Sequence, residues 1–224
     1  VKNTATSQHF PLMRYVSLPI LLLVLTLLAC NRSPEELPKF KKKFQAQIAS
    51  FEKEKLQTDK KVDDGVSTLN GLQTALDNAK NTDQEFNRVY GKWEAVSKQV
   101  KQLTKEYNDL KMDADNLFSA MERQTASINN EKSRGELQAA IESTKGDYQK
   151  TLGRTELAIK DLEKLYQEAY DVVKALEVAY ALGEISNINE GLANIETRVK
   201  DIMSELTQTV VESKDLYDKK IQNI

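Results

Sequence analysis

Histidine and cysteine are each reduced to one residue in this chain, His9 and Cys30. That rules out zinc ligation and the Glu-x-x-His pairs of carboxylate-bridged metal bundles, and no metal or other cofactor is expected. A lone cysteine also forbids an intrachain disulfide. Proline is confined to the front, at Pro11, Pro19, Pro34 and Pro38, and glycine is scarce at 8 residues. Both break helices, so the proline-free remainder, rich in Lys, Glu, Leu, Ala and Gln, predicts long helices. The β-branched alternation between turns that marks strands is missing. So are a glycine-rich phosphate loop and a GxSxG elbow. No charge sign dominates: the net charge is -2, with both signs interspersed. A nucleic-acid partner, which needs a basic field, is therefore not expected.

What is present begins with the apolar run Leu18–Ala29, preceded by Arg14 and interrupted only by Pro19 and Thr26. It is too short for a spanning helix, which needs about 20 apolar residues, but it fits the core of a secretory signal. Leu27-Leu28-Ala29-Cys30 matches a bacterial lipobox, with cleavage between Ala29 and Cys30 and a diacylglyceryl group on the Cys30 thiol. The polar Asn31-Arg32-Ser33 that follows suits a tether and leaves a buried structural cysteine unexplained. A catalytic thiol would need a base, and His9 lies upstream of the cleavage point. Met13-Arg14 with the apolar run forms a complete signal, so translation is expected to start at Met13, leaving residues 1–12 outside the protein. Cleavage removes Lys2 and Arg14 but no acid, which takes the net charge from -2 to -4. After Cys30, Ser33, Pro34 and Glu36 have the spacing of a helix start, with Pro38 an awkward fifth position.

The body shows heptad seams. From Phe86 the apolar positions run Val89, Trp93, Val96, Val100, Leu103, Tyr107, Leu110, Ala114, Leu117 and Met121 in steps of three and four. Thr82 and Glu85 have capping-box spacing before this seam, and Asn129-Asn130 marks its end. Ser133 with Glu136 opens a second seam of Leu137, Ile141, Thr144, Tyr148, Leu152, Thr155, Ile159, Leu162, Tyr166, Ala169, Val173, Leu176 and Tyr180. A stutter at Tyr148–Leu152 interrupts it, and Gly183 is its stop. A third seam opens near Asn187 and Glu190 with Ile188, Leu192, Ile195, Val199, Ile202, Leu206, Val210, Tyr217 and Ile221. The first segment is the least regular: Phe40, Phe44, Ile48 and Phe51, then the polar LQTDKKVDDG, then Val62, Val66, Leu69 and Leu76, weakened by Gly65 and Gly71. Seams of this kind must cover one another. The expected fold is all-α, an elongated antiparallel up-and-down bundle of about four long helices with coiled-coil packing. Residues 1–29 are then a leader, 30–38 a lipidated tether and 39–224 the bundle.

Few residues stand out as sites. Lys39, Lys41, Lys42 and Lys43 lie close after Cys30 and are candidates for contact with an anionic membrane surface. The competing and favoured reading sends Phe40 and Phe44 into the core and leaves the lysines in water. Thr144, Thr151, Thr155 and Tyr148 are polar where a core is expected and would line a small groove or mark the stutter. Trp93 sits in its seam as packing. Asp and Glu total 34, and on helix faces they read as partners of lysines rather than as acid/base pairs. A carboxylate-dependent hydrolase is the remote alternative, and no enzymatic activity is expected.

The segment MDADNLFSAMERQTASINNEKSRGELQAAIESTKGDYQKTL carries a helix end with Leu-Phe and an acid, an Asn-containing linker and a polar helix bearing a tyrosine. In this order of elements, from about Asp63 to the C-terminus, the chain resembles an uncharacterised group of bacterial coiled-coil proteins, the domain of unknown function 2959 group. The resemblance implies a helical, envelope-located protein and lends no catalytic residues. Together these readings lead to a lipid-anchored envelope lipoprotein with a structural or adaptor role, held in the membrane by acyl chains on Cys30. Its expected place is the outer membrane facing the periplasm where two membranes exist, because Asn31 replaces the Asp of inner-membrane retention. An envelope protein partner is expected, and self-association is open. A membrane-surface or lipid-binding module is the alternative. Changing Cys30→Ala is expected to abolish acylation and shift the protein to the soluble periplasmic fraction or leave an uncleaved precursor; fractionation and a mass shift check it, and an unchanged, still acylated product would sink the lipobox.

Overall fold

The computed structural model describes residues 36–183 and 189–222. Ala29 and Cys30, the Ser33-Pro34 helix start, Asn187 and Ile188 lie outside them, as do the side chains of Glu190 and Leu192. The described elements are all helical: α1 Glu36–Asn70, α2 Leu72–Asp77, α3 Thr82–Ala126, α4 Glu131–Leu182 and α5 Asn189–Leu216, which runs into a π-helical turn at Tyr217–Ile221. Pro38 stands third in α1, inside the first turn, where a missing backbone donor removes no intrahelical bond. The π turn is closed by the Gln222 N–H on the Tyr217 carbonyl at 2.8 Å.

The caps shift from their expected places. Asn81, in extended conformation, starts α3 by accepting from the Gln84 N–H, so Thr82 is the first helical residue rather than the cap. Asn130 starts α4 in the same way, accepting from the Ser133 N–H at 3.0 Å. The Asn that punctuates one helix thus opens the next, which places Ser133 and Glu136 within the first two turns. Asn is at least as good a cap as Ser and better than Thr, so both helices begin at the asparagine upstream. Gly183 ends α4 as expected. Its φ of 75° is the left-handed conformation that a side chain disfavours, and its N–H closes back on Ala179 and Tyr180.

Burial follows the seams closely. Every α3 position from Phe86 to Met121 in the predicted series is buried. In α4, Ile141, Tyr148, Leu152, Thr155, Ile159, Leu162, Ala169, Val173 and Leu176 are buried. Tyr166 and Tyr180 are only half-buried, Thr144 is half-buried, and Leu137 is exposed. Leu165 takes the core position beside Tyr166, part of an extra lane (Thr151, Ala158, Leu165) that widens the stripe after the stutter. In α5 and its π turn, Ile195, Val199, Ile202, Leu206, Val210, Tyr217 and Ile221 are buried, and Ser213 fills the step between Val210 and Tyr217.

The first segment corrects the sequence reading. Its seam does not lapse through LQTDKKVDDG. Phe44, Ile48, Phe51, Lys55, Thr58, Val62, Gly65 and Leu69 are all buried at alternating steps, so the spacing holds while the chemistry changes. Lys55 buries its stem and brings its ammonium to Asp59 at 3.0 Å. Thr58 donates to the Glu54 carbonyl at 2.9 Å. Gly65 lies against Trp93, where a Cβ would come within 3.4 Å of the indole and of Val96. Trp93 is fully buried, and its Nε1–H has no hydrogen-bond partner among the described residues.

Contacts between helices pair early residues of one with late residues of the next. Between α1 and α3, Lys43 meets Asp113, Ser50 meets Glu106 and Asp64 meets Lys92. Between α3 and α4, Tyr90 reaches Glu177, Tyr107 reaches Leu152 and Glu122 reaches Lys145. Between α4 and α5, Tyr148 pairs with Ser213, Thr155 with Thr209 and Glu168 with Arg198. Between α5 and α1, Lys214 binds Glu52 and Tyr217 binds Gln45. These pairs link the helices to one another, and their buried residues form one continuous hydrophobic cluster. Among the described residues, no helix is long and apolar enough to cross a membrane.

Gly65 gives a direct test of this packing. Gly65→Ala removes the helix penalty of glycine at a site where one methyl makes ordinary contact, and is expected to stabilise by up to about 1 kcal/mol. Gly65→Leu drives a larger group into Trp93 and is expected to destabilise by about 1–3 kcal/mol. Urea unfolding reads both, and a tolerated leucine would show that α1 and α3 do not close at Trp93.

Candidate functional site

Polar side chains concentrate where α4 meets α5. Thr155 is fully buried and donates to the Thr151 carbonyl at 2.8 Å, as a helical threonine does. Its hydroxyl also lies 2.8 Å from that of Thr209, which in turn reaches the Glu205 carbonyl at 3.1 Å. Two turns back along α4 and one turn on along α5, the Tyr148 and Ser213 hydroxyls meet at 3.1 Å. The Tyr148 ring stands edge-on to Phe44, with centroids 5.7 Å apart, and tilts against Phe118 at 6.3 Å. Tyr148 thus touches α1, α3 and α5 at once.

The layer opens to solvent through Glu212. Thr151 donates to Glu212 Oε2 at 2.5 Å, Arg154 Nη2 to Oε1 at 2.7 Å, and Gln208 Nε2 to Oε1 at 3.1 Å. Burial alone would raise this carboxyl. The hydrogen bonds from Thr151 and Gln208 and the Arg154 charge outweigh it and hold Glu212 below the usual carboxylate range. On the other face, Tyr107 donates to the Leu152 carbonyl at 3.0 Å. Burial first, then the Glu156 charge, pushes the Tyr107 phenol up to about 12. Tyr148 is raised further by burial, with Ser213 offsetting a part. Both phenols therefore stay protonated at neutral pH. A carboxylate held ionised is a weak base, so this arrangement fixes helix against helix rather than moving protons.

The sequence-predicted polar residues do not act together. Thr144, Tyr148 and Thr151 line a surface groove of about 450 Å³ whose rim mixes Asp147, Lys150, Arg154, Asp215 and Lys219. Thr155 is not on that wall and points instead to Thr209. Thr209 and Ser213 escaped the sequence reading, although Ser213 falls at the missing step of the α5 seam. Glu212, one residue before Ser213, carries no signal in the sequence.

The lysine cluster is divided by its surroundings. Phe44 is fully buried and Phe40 packs half-buried against the core. Lys43 reaches the buried Asp113 at 3.2 Å. Lys41 donates to the Gln222 carbonyl at 3.4 Å. Lys39 and Lys42 face water. Asp113 is a buried acid that sequence reasoning missed, one position before Ala114 of the seam. Trp93 is packing, as read. Among the described residues, no group of His, Cys, Asp and Glu is placed to hold a metal ion. The chain matches no known protein family, no curated protein and no solved structure.

A double-mutant cycle at the buried hydroxyl pair separates pairing from polarity. Thr155→Val and Thr209→Val are each expected to cost about 0.5–1.5 kcal/mol by leaving the partner hydroxyl with only its own helix carbonyl, with the double variant recovering much of the loss. Strict additivity in chemical denaturation would show that the two hydroxyls do not depend on each other.

Proposed function

We propose that this chain is a lipid-anchored protein of the bacterial envelope, acylated on Cys30, whose helices form an elongated antiparallel up-and-down bundle with coiled-coil packing. Its role is structural or adaptor-like and non-enzymatic, presenting a helical surface to an envelope partner. The observation that carries the reading is the coincidence of a basic flank, an apolar core, Ala29-Cys30 and a polar tether in one short stretch. The pairing of early residues of one helix with late residues of the next, around a common core, supports the architecture. The resemblance to the domain of unknown function 2959 group supports the location. Acyl chains contribute about 0.8 kcal/mol per buried CH₂, so a multiply acylated cysteine holds its protein on the bilayer essentially permanently.

Exposed apolar residues on α4 are the natural places to seek the partner. Leu157, Val178 and Leu182 are 63%, 56% and 70% exposed. Single exposed apolar residues are ordinary on protein surfaces, so they mark where to place a probe rather than a defined interface. The membrane-surface alternative rests on Lys39 and Lys42, because Lys41 and Lys43 already have partners within the bundle.

Photo-crosslinkers placed at Leu157, Val178 and Leu182 in living cells are expected to yield a discrete protein adduct from at least one position. In parallel, neutralising Lys39 and Lys42 is expected to leave binding to anionic vesicles unchanged. Adduct-free cells together with salt-sensitive vesicle binding that those substitutions abolish would replace the adaptor reading with the membrane-surface one.

A further inference from the structure

The α4 seam begins at Leu137, yet Leu137 is 42% exposed and faces a pocket instead of a neighbouring helix. This pocket, of about 290 Å³, lies where α3 turns into α4. Leu37, Met121, Ile128 and Ile141 share its wall with Leu137, and among the described residues Lys220 of the π turn is the one charged residue on it. Among the described residues no carboxylate lines it, and none pairs with the Lys220 ammonium. The geometry is that of an apolar slot with a single cation at its edge. At about 30 Å³ for a water-sized group, the volume holds roughly ten methylenes. That suits one acyl chain, or the head-side half of a longer one. It lies at the small end of ligand pockets, about 300–1,000 Å³.

We propose that this pocket binds a single fatty acyl chain, that of a free fatty acid, with its carboxylate on Lys220. The apolar wall supplies the affinity, because each buried methylene is removed from water. Lys220 supplies the orientation, because a carboxylate is the only end of such a molecule that an ammonium can hold. The site deepens the envelope reading and rests on it for its supply, the anchoring bilayer being the source of fatty acid.

Full-length protein in its host membranes, irradiated with a diazirine-bearing palmitate and mapped by peptide, tests the site. Label is expected on peptides spanning 121–128 and 137–144, displaced by excess palmitate. Lys220→Glu, at an exposed position, is expected to weaken labelling roughly two- to fivefold, the range of one exposed ion pair. Ala140→Trp, which projects bulk into the pocket, is expected to abolish it, with thermal melting to confirm the fold; should that variant fail to fold, Lys220→Glu still decides. Label spread along all helices, label that palmitate does not displace, or labelling unchanged by Lys220→Glu would overturn the proposal. A rise in labelling on Cys30→Ala would overturn it too, by showing that the chain's own lipid occupies the pocket. The anchor can fail separately: wild-type protein found in the soluble fraction, yet still labelled there at these peptides, keeps the pocket and removes the anchor.

Discussion

A long helix carrying one apolar stripe is stable in water only when another helix covers that stripe. In this chain the constraint governs nearly everything else. α4 is 52 residues long, about 78 Å at 1.5 Å per residue, and propensity alone would not hold such a length against fraying and bending. Its stripe is covered by α3 on one side and α5 on the other, and α1 closes the ring through Glu52, Gln45 and the partners of Asp113 and Glu106. The surface ion pairs, such as Lys98 with Glu94 and Lys200 with Glu196, follow from helix spacing. They add little, because exposed pairs are worth about 0–1 kcal/mol each.

Apolar seams alone do not choose one register. A helix sliding by one heptad against its neighbour buries a similar stripe, since leucine and valine are forgiving partners. The polar layer removes that freedom. Thr155 must find Thr209, Tyr148 must find Ser213, and Thr151 must find Glu212, so a slip strands several polar groups in a place with little water. Asp113 does the same between α1 and α3, where its partner is Lys43. The position of Gly65 opposite Trp93 adds a steric key to these polar ones, because a larger residue brought there by a slip would collide with the indole.

Most of this was legible where residue type and spacing agree. The α3 series needed no structure, because all its members are apolar and evenly stepped. The α1 seam was misread where the step held but the residue changed. Lys55, Thr58 and Gly65 belong to the core through a long aliphatic stem, a hydroxyl that bonds back to its own helix, and the lack of a side chain. None of these is visible to a pattern that counts apolar residues. The cap positions moved because two asparagines competed with the predicted Ser and Thr, and the extended conformation decided between them. Thr209 and Ser213 became meaningful only once Thr155 and Tyr148 were set opposite them. A polar pair across two helices is a tertiary fact, and neither half announces the other.

The chain holds a single tryptophan, and the fold has put it in its driest place. Trp93 has no exposed surface, and its indole nitrogen has no partner among the described residues. Its emission therefore comes from one apolar site at the junction of α1 and α3. Any separation of these helices, whether by a partner, a lipid or denaturant, admits water to that indole and shifts its fluorescence to longer wavelength. The protein thus carries its own optical gauge of bundle opening, readable without a label.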